Sequence, residues 1–189
     1  MAITLTEGVS FFKKGENFYS CSGTPVDCVF YALLGAVDFK PDLVLGGINR
    51  GPNLGTDIVY SGTCAVARQA AMAKIAGIAV SSNRFHPPFD YERQAKLFVE
   101  KLDFLLSKLK RGFFLNVNFP ASLQGEEEWL QATLSNRHYE DSITLRSDGK
   151  EVRHYFLQGN PTDFHREEPD SDWVIVEKGK IAYTLVPVS

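Results

Sequence analysis

Asn49, Ser61, Gly62 and Thr63 are the residues of this chain whose types and spacing could do chemistry. Asn49 lies at the end of an apolar run, in a stretch that holds Gly46, Gly47, Gly51 and Gly55 together with Asn53. Ser61-Gly62-Thr63 open an Ala-rich helical pattern. The N–H groups at a helix start have no intrahelical acceptor and hydrogen-bond an anion readily, phosphate above all. The hydroxyls of Ser61 and Thr63 would add donors, and the carboxamide oxygen of Asn49 suits a hard divalent cation. The same residues also suit plain structural roles, Ser61 as a helix N-cap and Asn49 as a turn residue tolerant of unusual backbone angles. On the residues alone both readings stand.

Two familiar nucleotide signatures are excluded. The glycines read G-G-I-N-R-G-P-N-L-G, a longer loop than the dinucleotide fingerprint allows, and Asn83 rather than an acid follows the next strand. No Gly-Lys-Ser/Thr occurs, so a Walker A loop is absent. His86, His138, His154 and His165 are scattered without metal-ligand spacing. Asp141, Asp148, Asp163, Asp170 and Asp172 fall in turns, where aspartate serves the backbone. Glu126-Glu127-Glu128 reads as a solvated face.

The elements that must position the seat alternate in type. Phe18–Cys21 and Val9–Phe12 read as a hairpin, with a strand at Ala2–Leu5 before it. Thr24 caps a helix with Pro25 and Asp27 in its first turn, running to about Val37. Pro41–Asn49 is a buried strand, and the helix from Ser61 runs to about Ala76, where Gly77 stops it. Ile78–Ser82 is a short strand. Asp90–Arg111 is helical, with apolar residues three or four apart from Ala95 to Leu109. Phe113–Asn118 is the next strand. This order predicts an α/β fold: a Rossmann-like, mostly parallel sheet with helices on both faces. Beyond Pro120, strands at Leu130–Leu134, Ser142–Arg146 and Glu151–Leu157, the last pair turning at Asp148-Gly149, predict a β-rich C-terminal extension. Gly159–Asp172 reads as loop, and Ile181–Val188 as a closing strand. The expectation is a single domain over 1–189, with 1–120 as core and 121–189 as extension.

Composition narrows the function classes. At 189 residues the chain suits one buried core, with 44% hydrophobic and 23% charged residues. A net charge of −3 gives no field for nucleic acid. Three cysteines, Cys21, Cys28 and Cys64, have no CxxC spacing and read as reduced thiols. No signal-peptide layout and no apolar run of membrane-spanning length are visible, so the expected setting is cytoplasmic, with no membrane partner.

Gly23-Thr24-Pro25-Val26-Asp27-Cys28-Val29, then Gly47-Ile48-Asn49-Arg50-Gly51-Pro52-Asn53-Leu54-Gly55, then Tyr60-Ser61-Gly62-Thr63 closely resemble the SurE (survival protein E) family. Asn116-Val117-Asn118-Phe119-Pro120, Ser171-Asp172 through Gly179, and Tyr183–Pro187 extend the match over nearly the whole chain. The resemblance implies a metal-dependent 5′-nucleotidase or acid phosphatase that hydrolyses nucleoside monophosphates. It implies that Asn49 is a ligand to Mg²⁺ or Mn²⁺, that Ser61, Gly62 and Thr63 bind the phosphate, and that the protein is a homodimer or larger homo-oligomer. It also implies an Asn-Asp-Asp-Gly strand end and a serine upstream as further metal ligands, and a C-terminal tail. This sequence contains neither, so no catalytic residue is identified within it, and the family's first strand is expected to be missing. A misplaced start, an omitted part and a true loss would each explain that. The alternative function is a degenerate domain that binds phosphate, nucleotide or a protein partner without catalysis.

Overall fold

The computed structural model describes residues 3–148, 152–162 and 168–188. The chain opens with the expected antiparallel hairpin, β1 (Phe11–Gly15) and β2 (Phe18–Cys21). Helix α1 (Pro25–Tyr31) starts as its sequence dictates: Thr24 Oγ1 accepts from Asp27 N at 3.2 Å, and the Asp27 carboxylate accepts from Thr24 N at 2.8 Å. That carboxylate also accepts from Thr4 N at 2.9 Å and Thr4 Oγ1 at 2.7 Å. Burial pushes the Asp27 carboxyl up, but the hydrogen bonds from Thr4 and Thr24 outweigh it and hold it at about 2. Thr4 therefore belongs to a helix cap. Residues 3–5 are not a strand, which corrects the expectation for Ala2–Leu5, Ala2 itself lying outside the described residues. Nor does α1 reach Val37: a widened turn, Ala32–Ala36, is broken at Gly35, where φ is +110°.

The stretch that carries the seat folds in the expected order. Strand β3 (Leu43–Arg50) leads into a loop, a 3-10 turn at Gly55–Val59, and helix α2 (Gly62–Met72). Strand β4 (Ala76–Ser82) follows. Gly77 does not stop α2, which ends with Ala73 and Lys74 (φ +66°). It lies inside β4, where an added Cβ would stand 2.2 Å from the carbonyl oxygen of Ala67. Gly77 thus lets α2 lie close on the sheet, a packing role that helix-stop logic does not anticipate. The long helical pattern that follows is two helices, α3 (Tyr91–Glu100) and α4 (Leu102–Lys108), separated at Lys101. Strand β5 spans Phe113–Phe119.

After β5 come β6 (Trp129–Ala132), β7 (His138–Tyr139), β8 (Ser142–Asp148), β9 (Arg153–Gln158) and β10 (Pro161–Thr162). Helix α5 (Asp172–Glu177) and strand β11 (Ile181–Pro187) close the chain. The β8–β9 hairpin was expected; its turn residue Gly149 lies outside the described residues, as do Asp163 and His165. The central sheet has the order β3-β4-β5-β11-β6. β3, β4 and β5 run parallel, β11 runs antiparallel to β5, and β6 runs parallel to β11. So α5, β6 and β11 build on the same sheet as the core. On one face Cys64, Ala67 and Ala71 of α2 pack on Ala79 and Phe114. On the other, Phe98 and Leu105 of α3 and α4 cover Ile78, Val80, Leu115 and Val117. Helices on both faces of a mostly parallel sheet is the architecture the alternation predicts. Glu127 is not on a solvated face: its carboxylate is 3% exposed and pairs with Arg93 at 3.2 Å. Among the described residues no helix is long and apolar enough to cross a membrane.

Candidate active site

At the C-terminal ends of β3, β4 and β5 the chain brings Asn49, the Gly51–Val59 loop and the start of α2 to one end of the sheet. Ligands in open α/β sheets sit at this end. The Asn49 amide nitrogen donates to Gly51 O at 2.9 Å and more weakly to Arg50 O at 3.4 Å. Its NH₂ group is thus turned back onto the loop, while its oxygen takes no bond among the described residues. Asn49 is a strand residue of β3, paired with Ser81, and not the turn residue of the structural alternative.

Ser61 is the N-cap of α2: its Oγ accepts from Cys64 N at 3.1 Å. Its own N–H is not free, since it donates to Ile58 O at 3.4 Å. Of the three N–H groups expected at the seat, those of Gly62 and Thr63 therefore lack an acceptor among the described residues. Both residues are half-buried, and an added Cβ on Gly62 would stand 3.2 Å from Pro25 Cγ. The start of α1 therefore abuts the start of α2. The positive end of α2 favours an anion there, while that of α1 already carries the Asp27 carboxylate.

The loop between these groups is held from beneath by side chains without an assigned role in the sequence reading. Asn118 Oδ1 accepts from Asn53 N at 2.9 Å, and Asn118 Nδ2 donates to Asn53 O at 2.9 Å. Asn116 Nδ2 donates to the same carbonyl at 2.8 Å, and Asn53 Nδ2 donates to Ser81 Oγ at 2.6 Å. All four residues are buried. Asp172, also buried, accepts from Gly55 N at 2.8 Å and Ser135 N at 3.1 Å. Burial pushes its carboxyl above the usual range, although these hydrogen bonds oppose the shift. On the outer side Arg137 Nη1 pairs with Asp57 at 2.8 Å, and the Tyr139 hydroxyl donates to the same carboxylate. The Arg137 guanidinium stacks over Trp173 at 4.6 Å and Tyr139 at 5.4 Å. Burial, then the bond to Asp57, push the Tyr139 phenol up to about 12. A signal for the asparagines was available. In β5, Phe113-Phe114-Leu115-Asn116-Val117-Asn118-Phe119, one face stays apolar while the other changes from Phe114 to Asn116 and Asn118. Buried carboxamides on one face of a strand must have partners.

The fit to a metal is partial. Among the described residues no group of three or more His, Cys, Asp and Glu side chains converges to hold an ion. One neutral oxygen from Asn49 does not hold a hard divalent cation by itself, since such sites use carboxylates. These residues alone are not a metal centre. None of the three described histidines belongs to such a group: His86 and His154 are exposed and His138 lies in β7, while His165 is outside the described residues.

Comparison with known proteins points one way. The family model described as "Survival protein SurE" matches residues 1–141. A protein of Thermosipho melanesiensis named 5′-nucleotidase SurE is 38% identical over 174 residues, covering 91% of this chain and 68% of that protein. One of Leptospira biflexa with the same name is 34% identical over 189 residues, covering 98% of this chain and 76% of that protein. The crystal structure of the SurE protein from Aquifex aeolicus superposes with a TM-score of 0.82 at 30% identity, covering all of this chain and 77% of that one.

Proposed function

The chain belongs to the SurE family, and from that premise we propose that it is a 5′-nucleotidase, hydrolysing nucleoside 5′-monophosphates to nucleoside and phosphate. The observation that carries the reading is the pair of unpaired N–H groups, Gly62 and Thr63, at the start of an 11-residue helix beside the Gly-rich loop. In this reading the phosphoryl oxygens accept from those two N–H groups and from the hydroxyls of Ser61 and Thr63. Water adds to phosphorus, the bond to the 5′ oxygen breaks, and the leaving oxygen takes a proton. Fixed donors and the helix dipole at the start of α2 stabilise the charge that builds up on its oxygens, with little reorganisation. Asn49 is kept as one oxygen ligand of a divalent ion, Mg²⁺ or Mn²⁺, which supplies Lewis acidity when bound.

The reading extends to setting and assembly. Cys21, Cys28 and Cys64 are free thiols, consistent with the reducing cytoplasm. The β8–β9 ribbon leaves Ile143, Tyr155, Phe156 and Leu157 exposed. A two-stranded ribbon is marginal in water by itself, and cover from a second copy in a homodimer or larger homo-oligomer would support it.

Phosphate release from AMP, measured with Mg²⁺ or Mn²⁺ present, tests the activity. Gly62→Pro tests the seat, because proline is accepted at a helix's first position and deletes the N–H; Gly62→Ala, which meets the same Pro25 Cγ at 3.2 Å but keeps the N–H, is its control. Ser61, with φ −77° and ψ 122°, already has the extended backbone that a following proline requires. Turnover is expected to fall about 100-fold, the size seen when one donor to a developing oxyanion is removed. No phosphate release from any nucleoside 5′-monophosphate would remove the proposal.

A further inference from the structure

Asp172 is a fully buried carboxylate at the first position of α5, and the chemistry of the seat leaves it unused. Burying such a group is costly unless its oxygens are hydrogen-bonded. Here Oδ2 accepts from Gly55 N at 2.8 Å and Oδ1 accepts from Ser135 N at 3.1 Å. The backbone sets the place of Asp172 separately from both bonds. Its own N–H donates to Thr133 O at 2.8 Å, and Thr133 N donates to Asp170 O at 3.0 Å. The carboxylate is therefore a fixed point to which two other segments are tied.

One of those segments leads to the seat. Gly55 opens the 3-10 turn Gly55–Val59, and Ile58 O in that turn accepts from Ser61 N. Ser61 in turn caps α2, whose first two residues are Gly62 and Thr63. The other segment, between β6 and β7, lies against the same turn. An added Cβ on Gly55 would stand 2.2 Å from Ser135 O. Thr56 Oγ1 donates to Arg137 O at 3.2 Å, and Arg137 pairs with Asp57 at 2.8 Å. We propose that Asp172 is a positioning residue for the phosphate seat: by holding Gly55 with one oxygen and Ser135 with the other, it fixes the Gly55–Val59 turn against the segment between β6 and β7. Through Ile58 and Ser61 that sets the aim of the Gly62 and Thr63 N–H groups. Asp172 itself touches no substrate. The proposal rests on the 5′-nucleotidase reading for what the seat does, and on the hydrogen bonds alone for how the turn is held.

Both partners are donors, so the side chain must accept at both ends. A carboxamide accepts at one end and sets its NH₂ against an N–H at the other. Asp172→Asn is therefore expected to lower kcat for AMP about 10-fold and Asp172→Ala about 100-fold, the latter the scale of a roughly 1 Å misplacement. KM should change less than about three-fold, because the aim of the donors matters most in the transition state. Leu105→Ala is the control: it removes packing from the core beneath α4, away from the turn, and should keep kcat. Asp172→Asn preserves the size of the side chain and carries the test if Asp172→Ala does not fold. A second readout needs no hydrolysis. In the ligand-free protein the amide resonances of Ser61, Gly62 and Thr63 should shift in Asp172→Asn and stay in place in Leu105→Ala. If those three resonances are unmoved in Asp172→Asn, or kcat falls no further than in Leu105→Ala, the proposal is overturned. If the unsubstituted chain releases no phosphate from any nucleoside 5′-monophosphate, the 5′-nucleotidase reading falls, and the three resonances still decide whether Asp172 sets the start of α2.

Discussion

Replacing Gly47 by alanine is expected to lower the unfolding free energy by about 4 kcal/mol. Two separate effects add. Gly47 has φ +128°, a conformation that a residue with Cβ adopts only under strain. The new methyl would also stand 2.2 Å from the backbone oxygen of Val80, and backbone cannot move aside as a side-chain end can. The strand pair β3–β4 would have to separate where it sets the position of Asn49. Gly125 isolates the first effect, with φ +129° and nothing within 4 Å of an added Cβ. Gly125→Ala should therefore cost only about 1 kcal/mol. Urea unfolding of both variants checks the pair. A Gly47→Ala loss no larger than that of Gly125→Ala would contradict the close approach of β3 and β4.

Asn118→Ala is the second large effect, and it reaches function. It deletes the acceptor for Asn53 N and one of two donors to Asn53 O, both buried. The carbonyl keeps Asn116, but the N–H is orphaned. An orphaned buried donor together with the lost packing should cost about 3 kcal/mol. Turnover should fall with it even below the unfolding transition, because Asn53 is the point at which the sheet grips the Gly51–Val59 loop. Urea unfolding and AMP hydrolysis measured on the same sample separate the two losses. Full turnover in a destabilised Asn118→Ala protein would show that the loop does not depend on that grip.

Much of this was legible in the sequence because it is local. Thr24, Pro25 and Asp27 specify a helix start through their own hydrogen bonds, and the turn between β1 and β2 follows from the glycine and polar residues in it. The helix start at Ser61 was legible for the same reason, and the N–H groups at a helix start are orphaned whatever lies around them. What escaped is long-range. Gly77 looked like a helix stop, yet its role is set by the Ala67 backbone lying across it. Asp172 looked like a turn residue, and it is the N1 position of α5, bonded to Gly55, 117 residues away in sequence. Glu127 looked solvated and is covered by Arg93 of α3. Thr4 reads as strand within Ala2–Leu5, but its hydrogen bonds go to Asp27. In each case the role is set by a partner in another element, and for Asp172, Glu127 and Thr4 that partner lies 23 or more residues away.

The central claim is that Gly62 and Thr63 present their N–H groups to the phosphate of a nucleotide. Amide chemical shifts followed by NMR during titration with AMP test it without depending on turnover. The account predicts that the Gly62 and Thr63 resonances move together and saturate, and that inorganic phosphate moves the same two. If both stay fixed while AMP shifts amides elsewhere, the phosphate is held by another part of the chain and the seat is wrong.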